Sequence, residues 1–412
     1  MLIKRIIRLI TPAMIVFTIL GCTDAQTGNK EPTAKYVFYF IGDGMGLSHI
    51  SLTEAYLAAK EGKMGSIPLN FSQFPVIGLA TTYSASNLIT ESSAAGTALS
   101  TGEKTTNSML GTRPDSTYLR SISYLIHDSG YAVGIVSSVT IDHATPAAFY
   151  ANSYSRSDYY EIAQQLPKTG FAFFGGGGLS RPTGRNNDLP SVYESIVDAG
   201  YTIARGAGSY QLKKEGATKI YYTQAEGIEG DLPYAIDRKE GDLTLPIVVE
   251  AAIDFLYDPK GKGFFLMSEG GKIDWAAHSN DAKTTILEVL DFADAISLAI
   301  EFYKKHPTQT LIVVTADHET GGLSLGANNG YDMFFDALDA QNASVDADRL
   351  ITESVRQSNR EARIGWTTLS HSGSPVPVFA IGVGSGHFGG RMDNTDIPKK
   401  IIKAMGITST QE

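Results

Sequence analysis

Seven residues near the amino end, Lys35-Tyr36-Val37-Phe38-Tyr39-Phe40-Ile41, form an almost unbroken apolar run that closes on Gly42-Asp43-Gly44-Met45-Gly46. Successive strand residues point to opposite faces, so continuous apolarity means both faces are buried, as in a parallel sheet covered by helices. Similar runs recur at 76–80, 131–137, 171–174, 264–267, 311–314 and 376–383. Helical patterns at 47–60, 118–128, 245–257, 286–303 and 397–405 separate them. The chain has 412 residues, 42% hydrophobic and 19% charged, enough for one large core. The expected class is α/β: a central, mostly parallel sheet with helices on both faces over 35–408. Residues 325–366 turn polar and irregular, with a modest helix at 347–359, and read as a small cap-like insertion. The stretch 183–243, with a helix near 190–198, reads as peripheral. Gly175 to Gly178 lack the lysine of a phosphate loop and read as a turn.

In open sheets of this class, ligands bind at the carboxyl ends of the strands. The residues just past each run therefore carry the functional signal. Asp43 lies past the first, and Asp142-His143-Ala144-Thr145-Pro146 past 131–137. Glu269 sits just after 264–267, then Asp274 and His278, four apart and so on one helix face. Asp317-His318 comes after 311–314, and His371 precedes the last run. Two zinc ions need about eight ligand positions of nitrogen and carboxylate oxygen. His278, Asp274 and His371 supply one ion; Asp43, Asp317, His318 and Ser92 supply the other. Glu269, Thr145 and a shared Asp43 make an all-oxygen set that suits Mg²⁺.

Ser92 lies in Ile89-Thr90-Glu91-Ser92-Ser93-Ala94-Ala95-Gly96-Thr97-Ala98, after the run at 76–80 and before small helix-compatible residues. By itself it reads first as an N-capping serine before a helix of small residues. Among these carboxylates and imidazoles, a serine at a helix N-terminus reads as a nucleophile, because free N–H groups and the helix dipole favour an alkoxide and a phosphoryl oxygen.

The first 22 residues carry Lys4, Arg5 and Arg8, an apolar stretch at 9–20 and Ile19-Leu20-Gly21-Cys22, the pattern of a bacterial lipoprotein signal peptide. Residues 23–34 read as a tether, with a lipid on Cys22 and an exported, periplasmic or cell-envelope location. Cys22 is the only cysteine, so the mature chain can form no internal disulfide. Cleavage removes three of the 34 basic residues, leaving 31 against 44 acidic and a net charge of −13, which argues against a nucleic-acid partner.

Taken together, Gly42 to Gly46, Thr90 to Thr97, His143 to Ala148, Glu269 to His278, Thr315 to His318 and His371-Ser372-Gly373 resemble the alkaline phosphatase family, over nearly all of 35–408. The resemblance implies hydrolysis of phosphate monoesters to inorganic phosphate with two Zn²⁺ and one Mg²⁺, a phosphoseryl intermediate on Ser92, and Arg156 as the phosphate clamp. It also implies a homodimer, with 325–366 in the place of the family's cap. Three residues depart from the family's commoner pattern. Glu91 stands where Asp is common, His143 would turn the third site toward Zn²⁺, and Trp275 replaces a cationic contact to phosphate. Two other readings compete: a phosphodiesterase or sulfatase-like member of the superfamily, and a surface lipoprotein that binds metal or phosphate without catalysis, for which Glu91 is the only support. Of the remaining histidines, His127 and His306 read as surface residues near helix ends, His49 as packing near the Asp43 loop, and His387 as lying outside the site more readily than in it, its place at a strand end being its only claim.

Overall fold

The computed structural model describes residues 32–408. The expected signal peptide and the tether as far as residue 31 lie outside them. Eight strands come first: β1 (Tyr36–Gly42), β2 (Val76–Thr81), β3 (Ala132–Thr140), β4 (Phe173–Gly177), β5 (Thr202–Arg205), β6 (Ile220–Thr223), β7 (Phe264–Gly270) and β8 (Thr310–Thr315). Four two-residue strands come next: β9 (Glu319–Thr320), β10 (Ser324–Leu325), β11 (Ile364–Gly365) and β12 (His371–Ser372). β13 (Val376–Gly382) and β14 (Gly390–Asp393) end the series. Ten of them form one sheet in the order β14-β2-β13-β8-β1-β7-β3-β4-β6-β5. Every pairing in it is parallel except the two made by β13, which runs antiparallel to β2 and β8.

All seven residues of β1 are buried, as its composition requires. Phe38 and Phe40 face one side and meet Phe302 and Phe292 of the helix Ala282–Lys305 at 5.4 and 5.9 Å between ring centres. Tyr39 faces the other side, against Phe149 at 5.9 Å, and its hydroxyl donates to the carbonyl of Leu99. Helices therefore cover both faces, and each large apolar side chain buried there contributes about 1.5–3 kcal/mol. The helix Ala282–Lys305 starts four residues before the expected 286, because the Asp281 carboxylate caps the Thr284 N–H at 3.1 Å.

Register sets the level of the site. Ile41 of β1 pairs with Glu269 of β7 and with Thr315 of β8, and Ser137 of β3 pairs with Glu269. Asp43, Glu269 and Asp317 thus emerge at one height across three adjacent strands. Glu269 lies within β7 rather than after it, one pairing short of the strand's end.

Other expectations need correcting. Gly175–Gly177 do not turn; they belong to β4. A Cβ on Gly176 would stand 1.7 Å from the Ser137 carbonyl oxygen, and one on Gly177 2.4 Å from that of Val139. Glycine is needed there because β3 shifts register between Ser137 and Thr140 and bulges toward its neighbour. The stretch 183–243 adds β5 and β6 to the main sheet, so it is not merely peripheral. The helix expected from 118 begins at Ile122.

Between β10 and β11, which pair antiparallel, the segment from 326 to 363 leaves the sheet and carries the helix Thr352–Ala362. Phe335, Leu338, Ala362 and Ile364 form a second small core with Leu52, Tyr56 and Ile286. At the opposite end from the strand carboxyl termini, the Ala34 N–H donates to the Ala404 carbonyl at 2.8 Å.

Candidate active site and metal centre

The helix Ser92–Thr101 begins where Glu91, in extended conformation, turns its carboxylate onto the Ser93 and Ala94 N–H groups at 3.0 and 2.8 Å. It ends at Gly102, whose φ of 76° is the left-handed cap. Its small residues permit a close approach: a Cβ on Gly96 would lie 3.2 Å from both Thr145 Cα and Ala148 Cβ. This packing brings Ser92 to the turn that carries His143 and Thr145. Ser92 Oγ lies 3.3 Å from His318 Nε2, whereas Ser93 Oγ is buried and donates to Glu91. Ser92, not Ser93, faces the cluster.

Around Ser92 three groups of ligand-type atoms converge. Asp43, Asp317 and His318 form the first, with His318 Nε2 3.4 Å from Asp43 Oδ1 and 3.3 Å from Asp317 Oδ2. In the second, Asp274 lies 3.3 Å from His278 Nε2 and 3.6 Å from His371 Nε2, and those two nitrogens are 3.1 Å apart. The Asp274–His318–His371 cluster joins it to the first, the rings of His318 and His371 stacking at 3.7 Å. Asp43, Glu269 and His143 form the third, with Thr145 Oγ1 3.5 Å from Asp43 Oδ2. His143 thus adds a nitrogen to what the sequence suggested as an all-oxygen set.

The chemistry of these atoms fits cations. Asp43 Oδ1, Asp317 Oδ2, Glu269 Oε1 and His143 Nδ1 are buried without a hydrogen-bond partner. Burial first, then repulsion from Asp317 and Asp274, pushes the Asp43 carboxyl well up. Burial and Asp274 push Asp317 up to about 7, and burial pushes Glu269 up to about 8. Burial and the neighbouring Arg156 lower His143 to about 3, and burial with His371 lowers His318 far below its usual range. Four buried carboxylates and neutral imidazoles at one point call for positive charge.

Arg156 supplies part of it. Its Nη1 donates to Glu91 Oε2 and its Nη2 lies 3.1 Å from His143 Nε2. The longer Glu91 side chain therefore still reaches the arginine, and burial of Glu91 is outweighed by Arg156, which holds the carboxyl below its ordinary value. Trp275 stands edge-on to the His143 ring at 5.7 Å. Ser92, Glu91, Arg156, His143, Trp275, Asp274, His278 and His371 line a common cavity of about 390 Å³.

Three supporting residues escaped the sequence reading. Ser137 Oγ donates to Glu269. Thr320 Oγ1 donates to Asp274 and lies 3.2 Å from His318 Nδ1. Glu319 accepts from Ser372 Oγ and the Leu323 N–H across the β9–β12 ladder, which seats His371 opposite Thr320. Only the Asp-His-Glu-Thr spacing hinted at the last two. His49 is buried beside the Asp43 loop, its Nδ1 accepting from the Gly46 N–H. His306 is half-buried among Tyr36, Tyr257 and Phe302 rather than free on the surface. His387 lies at the wrong end of the sheet, because β13 is reversed and its carboxyl end pairs beside Leu311.

Residues 34–171 and 227–407 match the family model described as alkaline phosphatase. The chain is 32% identical over 437 residues to alkaline phosphatase 3 of Bacillus subtilis (strain 168), covering 93% of this chain and 91% of that one. It resembles the solved structure of alkaline phosphatase from the Antarctic bacterium TAB5 with a TM-score of 0.75 and 33% identity, over 92% of this chain and 100% of that one. The crystal structure of the cold-active alkaline phosphatase from the psychrophile Shewanella sp. gives a TM-score of 0.79 at 28% identity, over 90% and 99%.

Proposed function

The chain belongs to the alkaline phosphatase family and is a metal-binding hydrolase of that kind, and from this premise we propose that it cleaves phosphate monoesters through a phosphoserine on Ser92. The observation that carries the proposal is Ser92 Oγ, 3.3 Å from His318 Nε2 at a helix N-terminus, in a cavity it shares with Arg156.

Two Zn²⁺ are assigned to the sets Asp274–His278–His371 and Asp43–Asp317–His318, and a third ion to Asp43, Glu269 and Thr145. Mg²⁺ suits that third set by its oxygens, while the His143 nitrogen beside it favours Zn²⁺. Bound there, the ions supply Lewis-acid stabilisation of phosphoryl charge and lower the pKa of hydroxyl and water ligands. The chain's own groups do the rest. Ser92 releases its hydroxyl proton to solvent and its Oγ attacks phosphorus as the P–O bond to the alcohol breaks, the departing oxygen taking up a proton; water then cleaves the phosphoserine, and Ser92 Oγ regains its proton. Arg156 keeps a second N–H on each Nη for the phosphoryl oxygens, its plane set by Glu91 and His143. Glu91, the feature that spoke for a binding protein without catalysis, thus has a positioning role. The test is hydrolysis of p-nitrophenyl phosphate between pH 7 and 10, with chelator-stripped, zinc- and magnesium-restored and Ser92→Ala protein. Activity that survives in Ser92→Ala overturns the proposal, as does diesterase activity with little monoesterase.

We also place the protein in the cell envelope, held by a lipid on Cys22, and as a homodimer. The basic and apolar pattern before Gly21-Cys22 supports the first, and the cap-like segment between β10 and β11 supports the second. Mass spectrometry of the mature amino terminus tests the lipid, and sedimentation of the 32–408 domain tests the dimer.

A further inference from the structure

A second cavity, of about 570 Å³, begins one residue beyond Arg156. Ser157, Tyr159 and Tyr160 form one wall, at the start of the helix Tyr159–Ala163. Arg181, Arg185 and Asp188 stand on the other, in the loop after β4. That loop is fixed to the active-site turn. Asp142, which immediately precedes His143, accepts from the Ser180 N–H at 2.9 Å and from Ser180 Oγ at 3.1 Å. Thr140 Oγ1 lies 2.7 Å from Ser180 Oγ as well. Ser180 therefore delivers Arg181 to a set place beside the site, 5.3 Å over the Tyr159 ring.

Among the described residues, neither Arg181 nor Arg185 has an acidic partner or a side-chain hydrogen bond, so their guanidinium forks keep all their donors. The acids nearby do not answer them. Asp158, Glu161 and Asp188 line the same cavity, but Asp158 accepts from Ser153 Oγ at 2.7 Å, and Glu161 and Asp188 are exposed to solvent, as is Arg185, and pair with neither arginine. Planar forks with unused N–H groups suit phosphate oxygens. The loop also lies within residues 172–226, between the two stretches that the family model matches.

We propose that this cavity is a leaving-group subsite for phosphate monoesters whose alcohol carries a second phosphate. Arg181 and Arg185 grip that second phosphate, and Tyr159 forms the wall between it and Arg156. The proposal rests on the Ser92 reading for the chemistry but not for the binding. Its test compares fructose 1,6-bisphosphate with fructose 6-phosphate and p-nitrophenyl phosphate, in the native chain and in the double variant Arg181→Ala, Arg185→Ala. The native chain should prefer the bisphosphate in kcat/KM by about tenfold, the scale of one charge-assisted contact. The variant should lose that preference through KM, with the other two substrates unchanged. A native chain without the preference, a variant that keeps it, or an equal loss on all three substrates overturns the subsite. Calorimetric titration of Ser92→Ala protein with fructose 1,6-bisphosphate separates the two ideas. If the native chain hydrolyses no ester, the Ser92 reading fails. The subsite still stands or falls on whether removing both arginines weakens that binding about tenfold.

Discussion

The Nε2 atoms of His278 and His371 face each other at 3.1 Å, while each ring holds its Nδ1 on a backbone carbonyl, of Leu369 at 2.6 Å and of Thr90 at 2.9 Å. An Nδ1–H donated to a carbonyl turns each Nε2 inward as a ligand atom. Against the effect of burial, Asp274 raises the His278 pKa to about 9, so a proton there can hold the pair together, and a shared cation takes that proton's place. Metal should therefore stabilise the fold as well as serve catalysis. Zinc at a hundredfold excess over its dissociation constant adds about 2.7 kcal/mol per site. Differential scanning fluorimetry should show the melting temperature fall on chelation and recover with zinc. His371→Ala should take up one zinc fewer, as counted by atomic emission.

Glu91 both caps the Ser92 helix and holds Arg156, so Glu91→Gln should damage two functions together. Loss of the charged contact to Arg156 should lower kcat/KM on p-nitrophenyl phosphate by about tenfold or more. The stability difference has a defined pH window. Burial raises the Glu91 pKa, but Arg156 and the hydrogen bonds outweigh it and leave it below 4.5. The carboxylate therefore stabilises the fold above that value, and its contribution is lost as pH falls through the lower folded value. Urea titrations of both proteins should differ most at pH 6 and converge toward pH 3.

Gly176 has a φ of 133° and no room for a Cβ against Ser137. Gly176→Ala should cost about 3 kcal/mol or more, because both backbone strain and a clash with β3 must be relieved. A small drop in the urea midpoint would show that β3 and β4 yield at the bulge.

Glu288 lies buried on the long helix with its Oε1 accepting from the Ala235 N–H at 2.6 Å. Burial and the nearby Asp291 push its carboxyl up to about 7. The protonated form suits the fold, so stability drains away as pH rises from 4.5 through 7. Glu288→Gln should flatten that slope, with a difference on the order of 3 kcal/mol between pH 5 and pH 8 at most. Parallel slopes for the two proteins would disprove the assignment.

Much of this architecture could be read from local pattern. The apolar run of β1 announced a strand covered on both faces, and Asp43, Asp317 and His318 could be found because they come directly after such runs. Other features depend on partners distant in sequence. Thr320 meets His371 only through a two-residue ladder, and Ser137 reaches Glu269 only through strand pairing. The glycines of β4 looked like a turn because what forbids a side chain there belongs to β3. β5 and β6, four residues each, were hidden in a polar stretch. His387 kept a minor claim on the site only because no local pattern states which way a strand runs.

The contact between Ala34 and Ala404 bears on how the enzyme could be mounted. The domain is entered and left at the amino ends of its strands, while Asp43, Asp317 and the cavity lie at the carboxyl ends. A bead coupled to the domain through residue 32 would take hold of its back. Held that way, the mouth of the cavity would look outward into the surrounding fluid. Substrate then arrives from solution without having to slip between the protein and its support.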